Sequence, residues 1–128
     1  MIRCNLTSII VSDQQRAEDF YVGTLGFVKH QDFPAGEYRW LTIQAADGSG
    51  AMLSLEPAGY EFARTYQKAL YDHGIPLTSL GCDDVIAEYE RLKGLGVVFQ
   101  GTPTRQEGAP TMAIFDDTCG NLIMLHEG

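Results

Sequence analysis

The run Val11-Ser12-Asp13-Gln14-Gln15-Arg16-Ala17-Glu18-Asp19-Phe20-Tyr21, closed by Leu25-Gly26-Phe27, reads as a strand end, a helix cap, a helix and a helix stop. Residues 5–11, Asn-Leu-Thr-Ser-Ile-Ile-Val, are β-branched and aliphatic and supply the strand. Ser12 or Asp13 can accept a bond from a free backbone N–H at the helix start. Ala17, Phe20, Tyr21 and Leu25 recur at helical spacing, and Gly26 ends the helix. The same signals return 70 positions later. Asp83, Ala87, Leu95 and Gly96 repeat Asp13, Ala17, Leu25 and Gly26, and Val97 echoes Phe27. A fixed internal offset means one supersecondary unit used twice. Two such units can face each other and leave a crevice for a ligand.

The rest of the chain fills in around these runs. Phe27–His30, Tyr38–Gln44 and Ala51–Glu56 read as strands, with Asp47-Gly48-Ser49-Gly50 as a turn and Pro57 as a stop. The first unit is therefore β-α-β-β-β. Phe62, Tyr66, Ala69, Leu70 and Tyr71 suit a connecting amphipathic helix that ends at Gly74. In the second copy Leu77–Cys82 is a strand, and Asp83 or Asp84 caps a helix carrying Ile86, Tyr89, Leu92 and Leu95. Val97–Gln100, Thr111–Phe115 and Asn121–His126 are strands, with a Gly/Pro/Thr loop over 101–110 and a turn over 116–120. That loop, with Glu107 in it, reads as a lid or a plain connector.

Strand alternation assigns faces. Ile9 and Val11, Leu53 and Leu55, Leu80 and Cys82, Ile123 and Leu125 form an apolar parity that packs under the helices. The other parity is mixed: Leu6 and Ser8, Ser54 and Glu56, Leu77 and Ser79, Met124 and His126. A mixed face lines a cavity or meets solvent. Trp40 either lines the cavity, where it would stack on a flat ligand, or packs in the core, which is the commoner fate of tryptophan. Glu56 and His126 share a repeat position and the mixed parity. They could act as base and acid, anchor a polar ligand, or end their strands in water.

Composition narrows the function classes. The chain has 128 residues, 45% of them hydrophobic and 20% charged, as expected of one soluble domain. The formal charge of −8 disfavours nucleic acid and anionic membranes. It suits a cationic ligand, or plain solubility. No apolar run approaches ~18 residues, and no signal-peptide core follows Met1, so a cytoplasmic location is expected. Cys4, Cys82 and Cys119 have no metal-ligand spacing and read as reduced thiols. Cys82 is expected to be buried, and Cys119 could be exposed in its turn. His30 and His73 read as surface residues.

With these motifs together, the sequence resembles the vicinal oxygen chelate superfamily, which includes glyoxalase I, bleomycin and fosfomycin resistance proteins and extradiol dioxygenases. The matching runs are 11–27, Asp83 through Val97, and Phe115-Asp116-Asp117-Thr118-Cys119-Gly120-Asn121-Leu122-Ile123. The resemblance implies an α+β fold: two βαβββ modules in one domain over 1–128, with curved mixed sheets around a cleft. Module one covers about 1–57, the connector 58–75 and module two about 76–128. It also implies a homodimer. The superfamily's metal enzymes carry one ligand on the first and one on the last strand of each module. The matching positions are Leu6, Ser54, Leu77 and Met124, none of which suits a divalent metal. No metal and no cofactor are therefore expected.

The leading expectation is a metal-free protein that binds a small molecule in the cleft, as bleomycin resistance proteins do, with no nucleic acid or membrane partner. Cleft contacts are expected from Leu6, Ser8, Trp40, Ser54, Glu56, Leu77, Ser79, Met124 and His126. One alternative is a lyase or dioxygenase relative with a displaced metal site, or metal-free catalysis by Glu56 and His126. Another is a regulatory or structural dimer whose cleft is filled by side chains.

Overall fold

A computed structural model describes residues 1–128, with seven strands and three α-helices. The chain divides into two compact units, Met1–Thr65 and Tyr66–Gly128. No helix is long and apolar enough to cross a membrane.

The first unit holds β1 (Leu6–Val11), α1 (Gln14–Glu18), β2 (Val28–Ala35), β3 (Tyr38–Gln44) and β4 (Met52–Pro57), and α2 (Glu61–Asp72) begins in it. Its sheet has the order β1-β4-β3-β2, with β1 and β4 parallel and the other pairs antiparallel. Asp13 caps α1 by accepting from the Arg16 N–H at 2.8 Å. The helix does not run on to Leu25 in α form. It widens to a π-helical segment over Asp19–Thr24, and Gly26 turns the chain at φ 97°. Ile9, Val11, Leu53 and Leu55 pack with Ala17, Phe20 and Tyr21 on the helix side, as strand alternation requires. Burying such aliphatic and aromatic groups contributes ~1.5–3 kcal/mol apiece.

β2 is longer than the sequence suggests, running to Ala35 rather than ending at His30. It pairs with β3 through a tight turn at Gly36-Glu37 and slips register between Lys29 and Gln31. Pro34 is tolerated because β2 is an edge strand, where a missing N–H costs no ladder bond.

The second unit holds the rest of α2, then β5 (Thr78–Cys82), α3 (Val85–Gly94), β6 (Met112–Asp116) and β7 (Leu122–Glu127), in a sheet of order β5-β7-β6. Asp84 caps α3 through the Ala87 N–H at 3.0 Å. Val85, Tyr89 and Leu92 line the buried side of α3, and Ala113, Phe115, Ile123 and Leu125 form the matching side of the sheet. The expected strand Val97–Gln100 is reduced to one bridge, Phe99 to Phe115, flanked by backbone bonds from Asp116 to Val98 and from Gln100 to Ile114. Gly101, at φ 76°, turns the chain away before a ladder forms. Leu77 lies just ahead of β5 rather than within it, its N–H donated to the Leu122 carbonyl.

Asp117 organises the β6–β7 turn. Its buried carboxylate accepts from the N–H groups of Cys119 (2.8 Å) and Asn121 (3.0 Å) and from the Asn121 side chain (2.8 Å). Gln67 of α2 donates to the Cys119 carbonyl and the Asn121 carboxamide oxygen. Cys119, which could have been exposed in its turn, is thereby fully buried, whereas Cys82, expected to be buried, is only half-buried. Burial raises the Cys82 thiol pKa above its ordinary value.

Candidate functional site

Each sheet has one face under helices and one face left open. In the first unit, the β1–β4 register places Leu6 beside Met52, Ser8 beside Ser54 and Ile10 beside Glu56. Thr42 pairs with Ser54 and with Gln31, and Trp40 pairs with Phe33. The middle of this face is therefore a hydroxyl row, Ser8-Ser54-Thr42, of which Ser8 is exposed while Ser54 and Thr42 are buried. One end is aromatic and carries Glu56.

The aromatic end is built rather than incidental. The Trp40 indole N–H donates to Gln31 Oε1 at 3.0 Å, which fixes the ring. Phe33, 50% exposed, lies with its centroid 6.4 Å from that of Trp40 and its plane tilted by 32°. Trp40 is half-buried and belongs to the open face, not to the core. Its parity with Thr42 decides this, and pairing across strands is not readable from one strand alone. Next to it, Thr42 Oγ1 accepts from the Gln31 N–H at 3.1 Å and meets His30 Nδ1 at 3.3 Å.

Gln14 spreads the strands at this end. Direct β3–β4 pairing covers only Thr42–Ser54 and Ile43–Leu53. Beyond it, the Gln14 carboxamide donates to the carbonyls of Arg39 (2.7 Å) and Leu55 (2.9 Å) and accepts from the Arg39 N–H (3.0 Å). A helix side chain thus replaces ladder bonds where the strands diverge. Sequence reasoning missed Gln14, because nothing local distinguishes it from an ordinary first-turn residue.

Cations are kept on the other face. Lys29 contacts Glu18 (2.6 Å) and Asp32 (3.0 Å), and Arg39 contacts Asp32 (2.7 Å) and Glu18 (3.3 Å). The Arg39 and Lys29 bonds hold the Asp32 carboxyl well below the usual carboxylate range. The Lys29 bond lowers Glu18.

The expected cleft residues do not all present themselves alike. Ser8 and Leu6 are exposed on the open face, and Glu56 is half-buried. Ser54 is 2% exposed, and its hydroxyl donates to Glu56 Oε1 at 2.7 Å. In the second unit, Ser79 is exposed, while Leu77, Met124 and His126 are half-buried. The Ser79 hydroxyl hydrogen-bonds His126 Nδ1. Ile114, paired with Met124, and Met112, paired with His126, complete this open face. Glu56 and His126 lie in different units, each beside a serine.

The positions matching the superfamily's metal ligands offer two leucines, a thioether and a hydroxyl already committed to Glu56. No group of three His, Cys, Asp or Glu side chains converges anywhere in the chain. The residues present do not fit a divalent metal, which needs several imidazole or carboxylate ligands on one point.

Two further hollows lie in the second unit. One, about 410 Å³, is lined by Gln67, Lys68, Tyr71, Asp72, Asp116, Thr118 and Gly120. There the Tyr71 hydroxyl donates to Asp116, which raises the phenol pKa. The other, about 390 Å³, lies between Tyr89, Lys93 and Val97–Phe99.

Helix-backed small mixed sheets with open faces define an α+β class shared by binding proteins and enzymes alike. The sequence matches the Glyoxalase/Bleomycin resistance protein/Dioxygenase superfamily over residues 3–125, and the chain belongs to that family. It is 46% identical to the uncharacterized protein YurT of Bacillus subtilis (strain 168), over 94% of each chain. Among solved structures it is similar to UcmS2 (30% identity, TM-score 0.84, 98% of each chain). It is also similar to TnmS3, an antibiotic binding protein from Streptomyces sp. CB03234 (32% identity, TM-score 0.78, 99% of this chain and 96% of that one).

Proposed function

We propose that this chain is a small-molecule binding protein that holds a flat ligand on the open face of its first sheet, without a metal. The observation that carries this reading is the fixed, half-exposed indole of Trp40 beside the exposed Phe33. Such a ring pair offers a stacking surface, and the exposed Ser8 hydroxyl offers a polar partner on the same face. The antibiotic-binding description of TnmS3, a full-length relative by structure, supports the same class. Leu6 lies at the other end of this face, beside Met52. Within the second unit, Leu77, Ser79, Met124 and His126 are the ligand contacts expected on that unit's own open face. A homodimer in the cytoplasm, with no nucleic acid or membrane partner, completes this reading, and the charge of −8 supports the last point.

Trp40 is the single tryptophan, so its emission reports on the face directly. Titration with planar aromatic probes is expected to quench it saturably and to raise the melting temperature. A probe at 100 times its Kd stabilises a protein by ~2.7 kcal/mol. Trp40→Ala should keep the fold and lose the thermal shift. A shift that persists unchanged in Trp40→Ala would move the ligand elsewhere. In the same assay zinc, nickel or manganese should produce no shift.

A further inference from the structure

We propose that Glu56, aimed by Ser54, anchors a protonated amine carried by the flat ligand, so that the preferred ligand class is a planar aromatic cation. This rests on the reading of the first sheet's open face as the ligand surface, and it adds the charge and the residue that reads it.

Four observations carry it. First, register puts Glu56 on the open face: it pairs with Ile10, two residues on from the Ser8–Ser54 pair. Second, Ser54 is buried and its hydroxyl is donated to Glu56 Oε1 at 2.7 Å. A short bond from a fixed neighbour holds the carboxylate in one orientation and leaves its second oxygen as an acceptor. Third, Glu56 is the one charged residue of the four strands on this face. Lys29, Asp32 and Arg39 are engaged with Glu18 in the ion-pair group on the helix side. Arg64 is held on the Ala58 carbonyl, past the end of β4. His30 is engaged with Thr42. Fourth, Trp40 and Phe33 lie at the same end of the face. A carboxylate on the same face as aromatic rings suits a cation by charge and by the ring quadrupole together. Ser54 is then a positioning residue, acting on the ligand through Glu56.

The test uses the full chain and two tricyclic probes of like shape: proflavine, which is cationic at pH 7, and acridone, which is neutral. Binding is followed by Trp40 quenching and by calorimetry. Wild type is expected to bind proflavine about tenfold more tightly than acridone. Glu56→Gln, close in shape, should bring proflavine to the acridone level and leave acridone unchanged. Ser54→Ala should weaken proflavine about threefold, spare acridone, and be rescued by Ser54→Thr. A structural defect would weaken both probes together. If Glu56→Gln leaves proflavine binding as in wild type while both probes still quench Trp40, the anchor is refuted and the platform stands. If neither probe binds, the platform reading fails and the anchor fails with it.

Discussion

Replacing Asp117 by Ala should be among the most destabilising single changes in the chain. The carboxylate is fully buried and accepts three hydrogen bonds, from the Cys119 N–H, the Asn121 N–H and the Asn121 side chain, at 2.8–3.0 Å. The donors are also buried: Cys119 is 0% and Asn121 2% exposed. A hydrogen bond to a charged group contributes ~1.5–3 kcal/mol, and a buried donor that loses its acceptor keeps its desolvation cost. Three such bonds do not add, because they share one carboxylate and one turn. The expected loss is therefore about 3–5 kcal/mol, against a total stability of ~5–15 kcal/mol for a domain. Urea unfolding followed by far-ultraviolet dichroism measures it. Asp117→Asn should cost less than Asp117→Ala, because one oxygen can still accept while its amide faces a donor. A loss below about 1 kcal/mol for Asp117→Ala, with an unchanged m-value, would refute the view that this carboxylate organises the turn.

Gly120 stands at φ 95°, and a Cβ there would come 2.9 Å from the buried Gln67 carboxamide, so Gly120→Ala should cost about 1–3 kcal/mol in the same urea assay. Acid titration tests the Glu18-Lys29-Asp32-Arg39 group. Both carboxyls have lowered pKa values when folded, so the unfolded chain binds protons more readily and stability falls as pH drops. The contribution is full above about pH 5, where free carboxylates are ionised, and is lost through the lowered folded values. Arg39→Ala should flatten the melting temperature against pH below that point, and an equally steep decline would sink the assignment. Gln14→Ala should lower the melting temperature and loosen β3 against β4, seen as faster amide exchange at Arg39, whereas unchanged protection there would contradict the bridging role.

Much of the architecture was legible in the sequence because its signals are local. Asp13, Asp84, Gly26 and Gly96 mark helix ends through chemistry within one turn. The apolar parity of Ile9, Val11, Leu53 and Leu55 gives the buried face. What escaped depends on partners distant in sequence. β2 extends past His30 because β3 pairs with it, and Pro34 misleads a reader who does not know it is on an edge. Val97–Gln100 has strand composition but finds a partner at one residue only. Helical spacing from Ala17 to Leu25 does not distinguish an α-helix from one that widens at Asp19. At the candidate site, parity found Ser8, Glu56, Ser79 and His126 on open faces. It could not see that Ser54 is spent on Glu56, that Gln31 fixes Trp40, or that Gln14 spreads the strands.

Whether a flat ligand sits on the open face of the first sheet can be read most directly from amide and indole chemical-shift mapping under saturating proflavine. The largest shifts are expected at the Trp40 indole, Gln31, Phe33, Thr42, Ser8 and Glu56. Shifts centred on Tyr71, Asp116 and Thr118, or on Tyr89, Val98 and Phe99, with the Trp40 indole unmoved, would contradict that placement.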